Sequence, residues 1–265
     1  MKKIILFLSL GLLLNAQVLA DNNCWLVIEN NKVIKQEGDC KLRHIPCSTF
    51  KIAISLMGYN EGFLIDETHP ELPFRKGYDD YLDVWKQAYN PNLWMKNSCI
   101  WYSRLITKNM GIKKFKNYLT KFNYGNKDAS GDKGQDNGIT NAWLSSSLEI
   151  SPEEQIVFLQ NLLDNKLPVG TKAQEMTKKL LFIEDLPGGW KLWGKSGSGN
   201  KLNYNRTQKV DLKLGWFIGW IQKDNRTIIF THYIEDDNKQ DTYAGQRAKA
   251  AAKEKLLQLI EHEQK

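Results

Sequence analysis

After residue 14, no stretch of this 265-residue chain is long and apolar enough to span a bilayer. No internal repeat or low-complexity linker interrupts it, and its lysines gather into no basic cluster. The first absence argues against a stable membrane anchor and for a product free in the compartment it reaches. The second means that any subdivisions are subdomains in close contact. The third sets nucleic-acid binding aside, although 37 Lys plus Arg against 30 Asp plus Glu leave a net charge of +7. Cysteine is scarce, at four residues, with no C-x-x-C, and the four histidines (His44, His69, His232, His262) are scattered, so no zinc site is expected. A chain that is 42% hydrophobic and 25% charged has ordinary globular proportions, which excludes disorder, collagen-like repeats and a disulfide-dense miniprotein.

The amino terminus reads as an address. Met1-Lys2-Lys3 is a short basic start, Ile4 to Leu14 is apolar, and Val18-Leu19-Ala20 ends in small residues suited to cleavage after Ala20. Residues 1–20 are therefore expected to be a signal peptide, with a mature periplasmic chain of residues 21–265 forming one catalytic domain. Export makes disulfides possible among Cys24, Cys40, Cys47 and Cys99. Three complete pairings are open; a short Cys40–Cys47 loop is the expectation here, with Cys99 a buried free thiol.

Strands are expected at Cys24–Glu29 and Lys32–Gln36 around Asn30-Asn31, and again at Trp190–Lys195, Leu212–Gln222 and Arg226–Ile234. Phe50–Tyr59 is too apolar for a surface helix and reads as a buried one. Residues 61–92, with three prolines and many aromatics, read as ordered but irregular. Ile112, Phe115, Leu119 and Phe122 recur at helical spacing, and Ser151-Pro152-Glu153-Glu154 is a capping box opening a helix to about Leu163. Further helices are expected over Lys172–Phe182 and Tyr243–Glu261. Strands at both ends and helices between them imply an α+β fold: one antiparallel sheet built from both chain ends, flanked by helices, with a mostly helical middle over 60–185.

Lys51 is the anomaly. It lies one turn into the buried helix, and an ammonium buried among Phe50, Ile52, Ala53 and Ile54 must be neutralised or paired. Residues three apart share a helix face, which sets the amine beside the Ser48 hydroxyl. A serine with its base one turn away, at a positively polarised helix start, is an activated nucleophile. Taken alone, the same pattern also suits a helix cap with a snorkelling lysine.

Further segments follow in order: Ser98-Cys99-Ile100, Tyr124-Gly125-Asn126, Trp143 with Ser145-Ser146-Ser147-Leu148, Lys195-Ser196-Gly197, Gly215-Trp216-Phe217-Ile218-Gly219-Trp220, and Arg247 after Ala244-Gly245. With Ser48-Thr49-Phe50-Lys51 they resemble the penicillin-recognising serine enzymes, and specifically the class D, oxacillinase-type β-lactamases, over nearly the whole mature chain. The resemblance implies hydrolysis of β-lactam antibiotics, small molecules of the penicillin and oxacillin type, with resistance as the consequence. It makes Ser48 the acylated nucleophile and Lys51 the bearer of a carbamate formed with carbon dioxide, acting as general base in acylation and deacylation. No other cofactor and no metal are implied. Trp143 would donate to the carbamate and Ile100 would flank it. Ser98 would relay a proton to the lactam nitrogen, with Lys195 keeping its surroundings positive. Lys195, Ser196 and Arg247 would hold the substrate carboxylate, Gly197 and Ser198 would also bind substrate, and the N–H groups of Ser48 and Ser198 would form the oxyanion hole. Tyr124-Gly125-Asn126 would shape the pocket wall. Ile100 stands where the family usually has valine, Ser196 where threonine is commoner, and Cys47 directly before the nucleophile is unusual.

Gly189 to Ser196 also fits G-x-x-x-x-G-K-[ST], the phosphate loop of NTPases. Its Trp-Lys-Leu-Trp core alternates like a strand, however, and no helix follows. Two rivals share the expected fold: a penicillin-binding peptidase and a β-lactam sensor that stays acylated. Both are normally tethered or carry further domains, so the cleavable leader favours the hydrolase.

Overall fold

The computed structural model describes residues 22–203 and 208–262; the expected leader, residues 1–20, lies outside them. Strands β1 (Cys24–Glu29) and β2 (Lys32–Gly38) form a hairpin. Asn30 and Asn31 turn it with φ of 49° and 63°, the left-handed pair that a two-residue hairpin requires. A 3-10 turn over Cys47–Phe50 runs straight into α1 (Lys51–Asn60). The helical middle follows as α2 (Pro91–Asn97), α3 (Ile100–Met110), α4 (Ile112–Lys121), the single turn α5 (Gly138–Asn141), α6 (Pro152–Leu163) and α7 (Thr171–Leu180). The chain returns to the sheet with β3 (Phe182–Asp185), β4 (Lys191–Leu202), β5 (Lys209–Lys223) and β6 (Arg226–Glu235), and ends in α8 (Ala244–His262).

All six strands are antiparallel, in the order β2-β1-β6-β5-β4-β3. The expected α+β architecture is therefore present, with β1 from one chain end zipped to β6 from the other (Trp25 opposite His232). Both faces of the sheet are covered, so β1 is buried on both sides. Cys24, Leu26 and Ile28 join the larger core with α1, while Trp25 and Val27 join the layer beneath α8. Ala244, Ala248, Ala252, Leu256 and Ile260, four residues apart, form the buried stripe of α8, and the small alanines let it lie close to the strands. On the opposite side α1 is buried from Lys51 to Tyr59.

Several boundaries differ from expectation for physical reasons. The helix expected to reach Phe182 stops at Leu180, because Phe182 opens β3 against Trp193. Strand β4 continues past Lys195 to Leu202, held by β5 even through its glycines. In α4, Phe115 and Leu119 are buried, whereas Ile112 in the first turn is exposed. Helices α2 and α3 were not legible: α2 is short and starts at the Asn90 cap, and α3 mixes polar residues into its apolar face.

The disulfide expectation is corrected. Cys24 bonds Cys40, whereas Cys47 and Cys99 are buried free thiols. Cys47 is held away from Cys40 by packing: its Sγ lies where a side chain on Gly199 of β4 would begin, 2.4 Å from the Cβ position. Cys24 and Cys40 bracket the hairpin, so their bond ties its free end to the start of β1. For a loop of 16 residues, replacing both by serine is expected to lower stability by about 3 kcal/mol, read as a lower urea midpoint at unchanged slope.

Candidate active site

The 3-10 turn presents Ser48 at the mouth of a cleft and buries Lys51 beneath it. Lys51 Nζ donates to Ser48 Oγ at 3.2 Å, as their spacing of three required. Lys51 has no solvent exposure, and burial pulls its amine down to about 8 against the opposing pull of the Cys99 and Cys47 thiols and of Asp79. That displacement corresponds to roughly 3 kcal/mol against the ammonium, which raises the neutral share at pH 7 to roughly a tenth, far above that of an ordinary lysine.

A second amine–hydroxyl pair faces the first. Ser98, with φ of 55°, sits at the left-handed junction between α2 and α3, which aims its hydroxyl across the cleft. Lys195 Nζ donates to Ser98 Oγ at 2.5 Å and to the Ser196 carbonyl at 2.9 Å. Lys195 is buried, and desolvation, reinforced by Lys51 and Lys249, holds its amine well below the usual lysine range. Burial thus works against the positive charge expected of Lys195.

Strand β4 forms the cleft's other wall because β3 stops pairing with it at Trp193, leaving the edge at Ser196, Gly197 and Ser198 open. The glycine at 197 is needed for close approach. A Cβ there would lie 3.0 Å from the Pro46 carbonyl and 3.1 Å from the Ser48 nitrogen, so the strand runs directly beside the nucleophile's backbone N–H. Ser48, Ser98, Ile100, Ser196, Gly197 and Ser198 all line one cleft of about 380 Å³. Trp143 is wholly buried against Phe50, the residue before Lys51, with ring centroids 5.5 Å apart. Among the described residues its indole N–H has no hydrogen-bond partner.

Two expected site elements stand elsewhere. Arg247 does not line the cleft: its terminal nitrogens bond both oxygens of Asp236, at 2.8 and 2.7 Å. Tyr124-Gly125-Asn126 is also outside the cleft lining. The Asn126 side chain donates to the Ser147 carbonyl and accepts from the Glu149 N–H, and Gly125, with φ of 50°, lies too close to the Glu149 carbonyl for any side chain. This segment braces the chain after Trp143. The Gly189–Ser196 match lies largely in β4, an extended strand unlike a phosphate loop.

Sequence reasoning missed the cleft's rim, where Tyr81, Val84 and Tyr243 are exposed large side chains, and Leu82, Trp85, Lys96, Asn97 and Gln246 also line the cleft. Tyr81, Val84 and Trp85 fall in the irregular proline-containing segment, where no periodicity separates a rim from a loop. The one available signal was their aromatic and apolar character outside any core pattern.

The geometry agrees with what the chain is similar to. A model of the penicillin-binding protein transpeptidase domain matches residues 25–258. β-Lactamase OXA-9 of Klebsiella pneumoniae is 37% identical over 222 residues, which cover 81% of this chain and 78% of the relative. β-Lactamase OXA-1 of Escherichia coli is 42% identical over 205 residues, covering 75% and 70%. The crystal structure of the OXA-427 class D β-lactamase superposes with a TM-score of 0.85 at 39% identity, over 91% of this chain and 99% of that one. A buried lysine under a serine, a second serine–lysine pair across a cleft and an open strand edge thus stand in a chain that belongs to the penicillin-binding transpeptidase-domain family, among its class D β-lactamases.

Proposed function

We propose that the protein hydrolyses β-lactams of the penicillin and oxacillin type through an ester on Ser48. The observation that carries this reading is the fully buried Lys51 amine 3.2 Å from the Ser48 hydroxyl. Ser48 Oγ attacks the lactam carbonyl and yields its proton to the Lys51 side chain. The oxyanion that forms is met by the backbone N–H groups of Ser48 and Ser198 on the two walls of the cleft. As the C–N bond breaks, Ser98 gives its proton to the leaving nitrogen and regains the one that Lys51 took from Ser48, which leaves the Lys51 side chain unprotonated again; the Lys195 amine is the immediate partner of Ser98. Ser196 and Lys195 hold the substrate carboxylate. Water then cleaves the ester with the Lys51 side chain again accepting the proton.

The unpartnered Trp143 N–H in an apolar interior fits an anionic group on Lys51. Carbon dioxide bound there as a carbamate would supply a general base stronger in anionic character than the amine, with Trp143 as its donor. The reading includes export through residues 1–20 to an oxidising periplasm, which the Cys24–Cys40 bond suits.

Purified protein given excess benzylpenicillin is expected to release many equivalents of product, and Ser48→Ala none. A single equivalent followed by a stable mass increase on Ser48 would instead make the protein a sensor or peptidase. Lys51→Ala is expected to slow deacylation at least as severely as acylation, in rapid-quench mass spectrometry of the ester. Because Lys51 must be neutral to act, and its amine protonates below about 8, turnover is expected to fall as pH drops through that value. Added bicarbonate should raise it; an acid-tolerant, bicarbonate-independent rate would remove the carbamate. Trp143→Phe is expected to cut turnover about a hundredfold and to raise the bicarbonate needed for half-maximal activity.

A further inference from the structure

Trp143 is held from behind. Its buried indole N–H has no hydrogen-bond partner among the described residues, so its use as a donor depends on what fixes the ring. The ring follows α5 by two residues, and the Ala142 N–H is bonded to the Gly138 carbonyl at 3.0 Å, so the placement of that turn sets the placement of the indole. A helix of four residues has almost no stability of its own and must be gripped from outside.

One side of α5 is seated on the segment that precedes it. A Cβ on Gly138 would lie 1.8 Å from the Ala129 carbonyl oxygen, and Asp132 accepts from the side-chain nitrogens of Asn137 and Asn141, each at 2.9 Å. Burial opposes the Asp132 charge, yet these amides hold its carboxyl below the usual range.

The other side is held by Arg104, near the middle of α3. Its Nη2 donates to Asn141 Oδ1 at 2.9 Å and its Nε to the Thr140 carbonyl at 3.4 Å, while Nη1 meets Asp79 Oδ1 at 2.7 Å. Asn141 is thus gripped at both ends of its amide, by Asp132 through nitrogen and by Arg104 through oxygen. A guanidinium suits this place because its planar fork serves three acceptors at once. Asp79 lies two residues before Tyr81 of the cleft rim, and α3 starts just after Ser98, so one side chain joins the rim, the relay helix and α5.

We propose that Arg104 is a positioning residue, which fixes α5 and thereby holds the Trp143 indole N–H in place as donor to the group carried by Lys51. This rests on the carbamate reading above. Arg104 lies outside the cleft lining and takes part in none of the hydrolytic steps. Burial dominates the Lys51 amine, but both charges of the pair also reach it, Asp79 favouring the ammonium and Arg104 opposing it. Variants that keep the charge separate this field from the grip on α5.

The test follows carbamate formation on the intact protein by 13C NMR with 13C-labelled bicarbonate, together with the indole N–H resonances of protein labelled with 15N-tryptophan. The Trp143 resonance is assigned by its loss in Trp143→Phe. Arg104→Gln is expected to raise the bicarbonate concentration for half-maximal carbamate about tenfold and to shift the Trp143 resonance. Asn141→Ala, which removes the acceptor on α5, should reproduce both effects. Arg104→Lys keeps the charge but not the fork and should resemble Arg104→Gln. In the Trp143→Phe background, Arg104→Gln should raise the bicarbonate requirement no further, because both changes remove one interaction. Wild-type bicarbonate dependence in Arg104→Lys, or an Arg104→Gln effect undiminished without Trp143, makes the role one of charge and overturns the proposal. A lower unfolding temperature with the bicarbonate dependence and the Trp143 resonance unchanged makes Arg104 merely structural and overturns it too. Absence of carbamate from the wild-type protein removes the group itself, and the proposal with it; that failure of the carbamate reading is seen before any variant is compared.

Discussion

Two lysine amines lie buried with serine hydroxyls as neighbours, and among the described residues neither has a carboxylate within ion-pair distance. Everything else in the site answers to that constraint. An ammonium cannot rest comfortably in such surroundings, so Lys51 and Lys195 are held toward neutrality by burial, and Lys51 further depresses Lys195 through like-charge repulsion. The cost is met by the larger core, into which α1 is packed on every side and in which Phe50, Phe115 and Trp143 form one aromatic group. A helix exposed along one face would admit water to Lys51 and restore an ordinary lysine. The thorough burial of α1 is thus a chemical requirement as much as a packing one.

Much of this was legible from residues alone, and the pattern of success has a physical basis. Ser48 and Lys51 were readable because helical spacing is local, and a charge inside an apolar run is conspicuous. The α6 capping box and the Asn30-Asn31 hairpin depend on a few adjacent residues and stand as expected. The misses are non-local. Cys40 had two candidate partners at short range, and the choice of Cys24 follows from the hairpin's return path and from Cys47 being pinned against Gly199. The left-handed turn at Ser98 is invisible in a serine, which gives no warning of positive φ.

Arg247 shows the same limit in another form. Arg247 pairs with Asp236, eleven positions earlier, across the turn that joins β6 to α8. Sequence order does not reveal which of several acids a guanidinium will meet. The cleft rim at Tyr81, Val84 and Tyr243 was hidden for a related reason: it joins an irregular segment to the start of α8, far apart in the chain. Both cases concern surfaces made by two distant segments, where neither segment carries a periodic signal.

The topology also dictates when the site can exist during synthesis. The nucleophile and its lysine are made early, yet the stretch of β4 beside them, which β3 does not reach, gains its sheet partner only with β5, and β1 has no central neighbour until β6 appears. Closing contacts such as Trp25 with His232 demands bringing opposite ends of the chain together, an entropic cost that precedes most of the sheet's hydrogen bonding. A growing chain therefore carries Ser48 without its opposing strand until nearly all of it has emerged. Completion of the fold and completion of the catalytic cleft become the same late event.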